Sequence, residues 1–135
     1  MSKQEAKMGQ QILRANAIKL LWVKAREIGL NSDQIHDILH TWVEAGFVKY
    51  ARISCLENQE LAIFMNKIFD TNVFITDDPT TAYIRSLTKN PDLHGKMQGI
   101  LQHYKLQSLY QMTVKQKRFL IGYLLKNQKT NIKGA

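Results

Sequence analysis

Gly29-Leu30-Asn31-Ser32-Asp33-Gln34-Ile35-His36-Asp37-Ile38-Leu39-His40-Thr41-Trp42-Val43-Glu44-Ala45-Gly46 is the stretch that sets the fold class. Within it Ile35, Ile38, Leu39, Trp42 and Val43 recur at i, i+3, i+4, i+7 and i+8, which gathers the apolar side chains on one helical face. Both ends are marked. Asn31 and Gln34 have the spacing of a capping box, and Leu30 and Ile35 that of a hydrophobic staple. Gly29 and Gly46 can take the positive φ at which a helix stops, with no steric cost. The spacing predicts a helix over about 32–44.

The same devices repeat outward from this helix. Upstream, a helical pattern runs over 3–28 with Ile18, Leu21, Trp22, Ala25 and Ile28 on one face. Downstream, Ser54 and Glu57 have capping-box spacing ahead of a helix carrying Leu61, Phe64, Met65, Ile68 and Phe69. Asp78-Pro79 and Asn90-Pro91 each put a capping side chain before a proline in the first turn. The second of those helices aligns Leu93, Met97, Ile100, Leu101 and Tyr104. Thr113 and Gln116 announce a last helix, to about Lys126. Residues 47–53 read as a loop or short strand and 72–76 as a second extended stretch, and the two could pair as a small ribbon.

The expected fold is therefore all-α, a compact bundle of about six helices with room for a minor two-stranded ribbon. At 135 residues one domain over 1–135 is expected. It comprises an N-terminal helical unit, 1–75, a basic C-terminal helical unit, 76–126, and a flexible tail, 127–135. The polar stretch 76–81 separates units small enough to share one core.

Composition narrows the class. One cysteine excludes an internal disulfide framework and any multi-Cys zinc ribbon. The longest nearly unbroken apolar run, 119–125, is far short of the roughly 20 residues that span a bilayer. No apolar segment follows Met1-Ser2-Lys3-Gln4-Glu5, so a cytoplasmic protein without a membrane partner is expected.

The net charge of +8 is unevenly placed. Residues 1–70 hold nine Lys/Arg against eight Asp/Glu, while residues 71–135 hold ten against three. After Asp92 there is no acid at all. Lys105, Lys115, Lys117, Arg118, Lys126, Lys129 and Lys133 are accordingly the candidate nucleic-acid contacts, DNA or RNA. On the last helix Lys115, Arg118 and Lys126 share a stripe with Gly122, which permits close backbone approach, while Leu120, Ile121, Leu124 and Leu125 take the other side. Tyr104 and Tyr110 flank this region as candidate stacking partners for bases, although Tyr104 is also in phase with the core.

The segment 21–40 has the spacing of a helix-turn-helix, with Ala25, Gly29, Ile35 and Ile38 at the expected positions and Lys24 where an apolar residue is usual. Its second helix carries Asp33, Asp37 and Glu44 and no Lys or Arg, a face that phosphates repel. It reads as two helices packed around a tight turn rather than as a DNA reader. Asp33, His36, Asp37, His40, Phe47 and Tyr50 are instead candidates for contact with a host protein or a second copy.

Ile18-Lys19-Leu20-Leu21-Trp22-Val23-Lys24-Ala25-Arg26-Glu27-Ile28-Gly29-Leu30, followed by Asp33-Gln34-Ile35-His36-Asp37-Ile38-Leu39, resembles the opening of the GemA regulatory proteins of Mu-like phages. Glu27-Ile28-Gly29-Leu30 matches the family's Glu-Leu-Gly-Leu with Ile for Leu, and Arg52-Ile53-Ser54-Cys55-Leu56 is a looser counterpart of its third-helix entry. The resemblance covers about 18–69. It implies a phage or mobile-element regulator acting on host transcription or DNA topology, and it supplies no catalytic residues.

Catalytic patterns are scarce. His36 and His40 have an i, i+4 metal spacing without a third ligand fixed by sequence. Cys55 opens a helix but has no His fixed beside it. There is no phosphate-binding Gly loop and no nucleophile elbow. The expectation is a non-enzymatic regulatory protein without cofactor or metal that contacts nucleic acid through its basic half. The alternatives are an inhibitor or adaptor of a host nucleic-acid-binding protein and a helical subunit of a ribonucleoprotein.

Overall fold

The structure is a computed structural model that describes the backbone of residues 9–134 and side chains through residue 128. Six α-helices and one two-stranded parallel sheet make up the regular structure among the described residues. The chain divides into two compact units between Asp77 and Asp78.

The first unit runs β1 (Gln10–Leu13), α1 (Arg14–Glu27), α2 (Ser32–Glu44), a 3-10 turn (Ile53–Cys55), α3 (Asn58–Ile68) and β2 (Val73–Thr76). β1 and β2 pair in parallel, from Gln10 opposite Val73 to Leu13 opposite Thr76. A parallel pair needs a crossover, and the three helices supply it.

This corrects the long helix expected over 3–28. Of that range, 10–13 is strand, helix begins at Arg14, and 3–8 lie outside the described residues. Gly9 is the reason. Its φ of +73° breaks a helix, and an added Cβ there would meet Asn72 O at 3.3 Å, so the chain passes close to β2 and Gln10 N–H bonds Asn72 O at 2.8 Å. The ribbon partner expected for 72–76 was 47–53; the observed partner is 10–13. Residues 47–53 are loop ending in the 3-10 turn, with Val48 and Ile53 buried and Lys49 N–H held by Glu60 Oε2 at 3.2 Å.

The α1–α2 joint follows the local pattern closely. Gly29 has φ +77°, Leu30 N–H bonds Ala25 O and Gly29 N–H bonds Arg26 O, a Schellman motif. The Asn31–Gln34 capping box is formed in both directions, at 2.9 and 2.8 Å. Gly46 repeats the Schellman stop after α2, with Phe47 N–H on Trp42 O and Gly46 N–H on Val43 O. Ile28 sits at the α1 C-cap, where the helix unwinds, and is exposed rather than on the buried face. The capping box of α3 also shifts. Ser54 lies in the 3-10 turn, and Glu57 with Glu60 caps the helix.

Ala17, Leu21, Ile35, Leu39, Leu61 and Phe64 are fully buried in this unit's core. Trp42 packs edge-on against Phe64 at 5.1 Å, and Trp22 is half-buried against the same cluster. Arg14 is buried at the start of α1. Its guanidinium donates to Asn58 Oδ1 at 3.0 Å and to the carbonyls of Ile53 and Ser54 at 3.3 and 3.4 Å.

The second unit runs α4 (Pro79–Leu87), α5 (Pro91–His103), a 3-10 turn (Leu109–Gln111) and α6 (Val114–Gly134). Asp78 caps α4 through Thr81 N–H at 2.9 Å, and Asn90 caps α5 through Asp92 N–H at 2.9 Å. Thr113 and Gln116 form the capping box of α6. That helix continues to Gly134, past the end expected near Lys126, and Ala135 of the expected tail lies outside the described residues. Ile84, Leu93, Met97, Leu101, Leu120 and Leu124 are buried in this unit's core. The buried residues fall into two clusters, each inside one unit. Among the described residues no helix is long and apolar enough to cross a membrane.

Candidate nucleic-acid interface

Dividing the chain at its structural boundary sharpens the charge asymmetry. Met1–Asp77 holds nine Lys/Arg and nine Asp/Glu, whereas Asp78–Ala135 holds ten and two, so the whole net charge belongs to the second unit.

The surface of α6 gives that charge a shape. At about 100° per residue, Leu120 and Leu124 point inward, and Lys115, Arg118, Gly122 and Lys126 lie on the opposite arc. All four are exposed. The aliphatic side therefore anchors the helix, and packing holds the cationic side outward. Lys105 is also exposed, at the end of α5. It has φ +59° and closes a Schellman motif through Lys105 N–H on Gln102 O and Leu106 N–H on Leu101 O. Lys129 and Lys133 lie on the continuation of α6, and their side chains are outside the described residues.

Lys117 is the exception among the expected contacts. Its side chain is only 12% exposed, with the ammonium turned toward the start of α4. It donates to Thr81 Oγ1 at 2.9 Å and stands 3.9 Å from Asp78 Oδ2. The helical phase explains this, because at about 100° per residue Lys117 falls about 20° from Leu124, on the inward arc, and meets the N-terminus of α4. Partial burial pushes the Asp78 carboxyl up, but the Thr81 N–H, the Lys117 charge and the Thr81 hydroxyl outweigh it and hold it below its ordinary value. Lys117 is thus a tie within the unit and not a surface cation.

An aromatic residue missed by sequence reasoning belongs to the α6 face. Phe119 is 54% exposed, and its ring lies 6.3 Å from Tyr123 with planes only 12° apart. The signal was available, since Phe119 is four residues after Lys115 and seven before Lys126, in phase with both. The two tyrosines expected to stack on bases are otherwise engaged. Tyr104 is half-buried against the core cluster. Tyr110 accepts a 3.0 Å hydrogen bond from Arg85, whose guanidinium lies 5.2 Å from the ring centroid.

In the first unit the expected protein-contact residues spread along α2 and the loop after it. Asp33, Asp37 and His40 are exposed. His36 is half-buried, with Ser32 Oγ 3.5 Å from its Nδ1. Phe47 is 68% exposed and meets Trp42 edge-on at 5.6 Å, and Tyr50 lies under the Lys49 ammonium at 5.4 Å. No group of three His, Cys, Asp or Glu among the described residues is placed to hold a metal ion. Cys55 is buried in the 3-10 turn. Lys24, the departure from the helix-turn-helix pattern, is harmless to packing because it faces outward and pairs with Glu27 at 3.6 Å.

A scan against models of known protein families finds no match, and searches of curated proteins and of solved structures likewise find no similar chain.

Proposed function

We propose that this chain is a small regulatory protein without catalytic activity that contacts nucleic acid through the exposed cationic face of α6. One observation carries the reading: a neutral first unit is joined to a second with ten cations and two acids, and Lys115, Arg118 and Lys126 share the face of α6 turned away from its core. Cations on a rigid helix meet phosphates without first ordering a flexible segment. The resemblance of 18–69 to the GemA regulators supports a role in a phage or mobile element.

The test is fluorescence anisotropy with labelled oligonucleotides at 50 and 200 mM salt. Three neutralised phosphates make affinity fall about 20- to 40-fold over that range. Lys115→Glu with Arg118→Glu abolishes binding at 50 mM while the circular dichroism of the protein is unchanged. Flat salt dependence, or binding that survives the double reversal, rules the reading out.

Exposed Phe47, Ile63 and Phe74 favour a second reading for the neutral unit, contact with a protein partner. A Phe47→Ser variant that loses capture of a defined partner while keeping oligonucleotide affinity supports it.

A further inference from the structure

We infer that the nucleic acid taken by α6 is single-stranded and that Phe119 is the ring on which one of its bases stacks. The inference rests on the proposed nucleic-acid contact and adds the strand class and the residue that selects it. A helix that held only duplex phosphates would need cations and small polar groups on its outer face. This face instead carries an aromatic ring, 54% exposed, between Lys115 and Lys126 along the helix and beside Arg118. Water contact over half of a phenylalanine is unfavourable, and nothing in the hydrogen bonding or caps of α6 requires a ring there.

Tyr123 makes the ring a defined platform. The two side chains sit one turn apart with ring centroids 6.3 Å apart and planes 12° from parallel, so Tyr123 fixes the orientation of a ring that is itself 54% exposed. Gly122, on the arc of Lys115 and Lys126 and about 60° around the helix from Phe119, has nothing within 4 Å of an added Cβ, so the surface at that position is open. Lys115 and Lys126 are eleven residues apart, about 16 Å along the helix axis, which matches the rise of about five stacked nucleotides. Duplex bases hide their π-faces inside the stack, whereas a single strand offers them, and cations flanking an exposed ring are the combination that binds single strands with little sequence preference.

The experiment uses the full chain and 12-nucleotide oligonucleotides in 50 mM salt: single-stranded DNA, single-stranded RNA and a 12-base-pair DNA duplex. The single strands are expected to bind more tightly than the duplex. Phe119→Ala and Phe119→Leu should each weaken single-strand binding about 5- to 100-fold and leave the duplex unchanged, while Phe119→Trp retains affinity. The DNA and RNA arms show which strand chemistry is preferred. Equal affinity for duplex and single strand with a neutral Phe119→Ala overturns the inference and leaves the proposed function standing. Full affinity in Phe119→Leu also overturns it, because apolar bulk and not stacking would then be at work. Binding of no oligonucleotide, with Phe119-dependent binding to anionic lipid vesicles, overturns the inference and the proposed function together.

Discussion

Lys117 donates a 2.9 Å hydrogen bond to the buried hydroxyl of Thr81, and that hydroxyl in turn donates to Asp78 Oδ2 at 3.2 Å. The chain of bonds joins the first turn of α6 to the N-cap of α4. It removes one cation from the surface and makes it structural, so the two neighbours Lys117 and Arg118 have opposite roles.

Substitution separates those roles. Lys117→Met keeps the aliphatic stem but leaves Thr81 and Asp78 without their cationic partner. It should destabilise the second unit by about 1–2 kcal/mol, seen as a lower thermal midpoint. Lys115→Met and Arg118→Met, both on exposed positions, should leave the midpoint within experimental error and weaken oligonucleotide binding.

Asp78 sets a pH dependence of defined sign. Its carboxyl is held below the ordinary value of 3.8, so the folded protein binds the proton less readily than the unfolded chain. The resulting stabilisation is fully present above pH 3.8 and is lost as pH falls through the depressed folded value. The difference in midpoint between the wild type and Asp78→Asn should therefore be constant from neutral pH to about pH 5 and shrink below pH 4. A difference that grows on acidification contradicts the assignment.

Lys105 occupies a conformation suited to glycine. At φ +59° its Cβ is crowded, and nothing in the Schellman motif uses the side chain. Lys105→Gly should stabilise the protein by about 1 kcal/mol in chemical denaturation. If Lys105 also contacts phosphate, the same variant loses a small part of its affinity at 50 mM salt.

Gly122 presents the reverse case. It lies inside α6 with open space around it, so Gly122→Ala should raise helix stability by about 1 kcal/mol. Gly122→Leu keeps the helix and the charge but places bulk between the cations. Oligonucleotide affinity should fall in Gly122→Leu, as read by anisotropy, with the circular dichroism unchanged.

Arg14 is the corresponding tie in the first unit. Arg14→Met strips the donors from Asn58 and from the carbonyls of Ile53 and Ser54, and should cost about 2–3 kcal/mol of thermal stability. Arg14→Lys should not restore it, because one ammonium cannot span three acceptors as the planar guanidinium does.

What could be read directly from the chain was what acts within a few residues. Asn31 with Gln34, Thr113 with Gln116, Asp78-Pro79 and Asn90-Pro91 cap their helices as their spacing implies. The mostly helical class and the six helices follow from these signals. The Ser54–Glu57 box failed because Glu57 and Glu60 carry the same spacing three residues on, and the buried 3-10 turn decided between them.

Charge placement and helical period determine the neutral and basic halves and the exposed arc of α6, because both depend only on residue order. Contacts between distant residues decide the rest. The partner of β2 is 63 positions away in the chain, and Gly9 can be understood only beside Asn72. Lys117 became structural because Thr81, buried 36 residues before it, needed a donor. Phe119 stayed on the surface because Leu120 and Leu124 already filled the core beneath α6. Local propensity sets the helices, but a side chain's role depends on what its long-range neighbours leave uncovered.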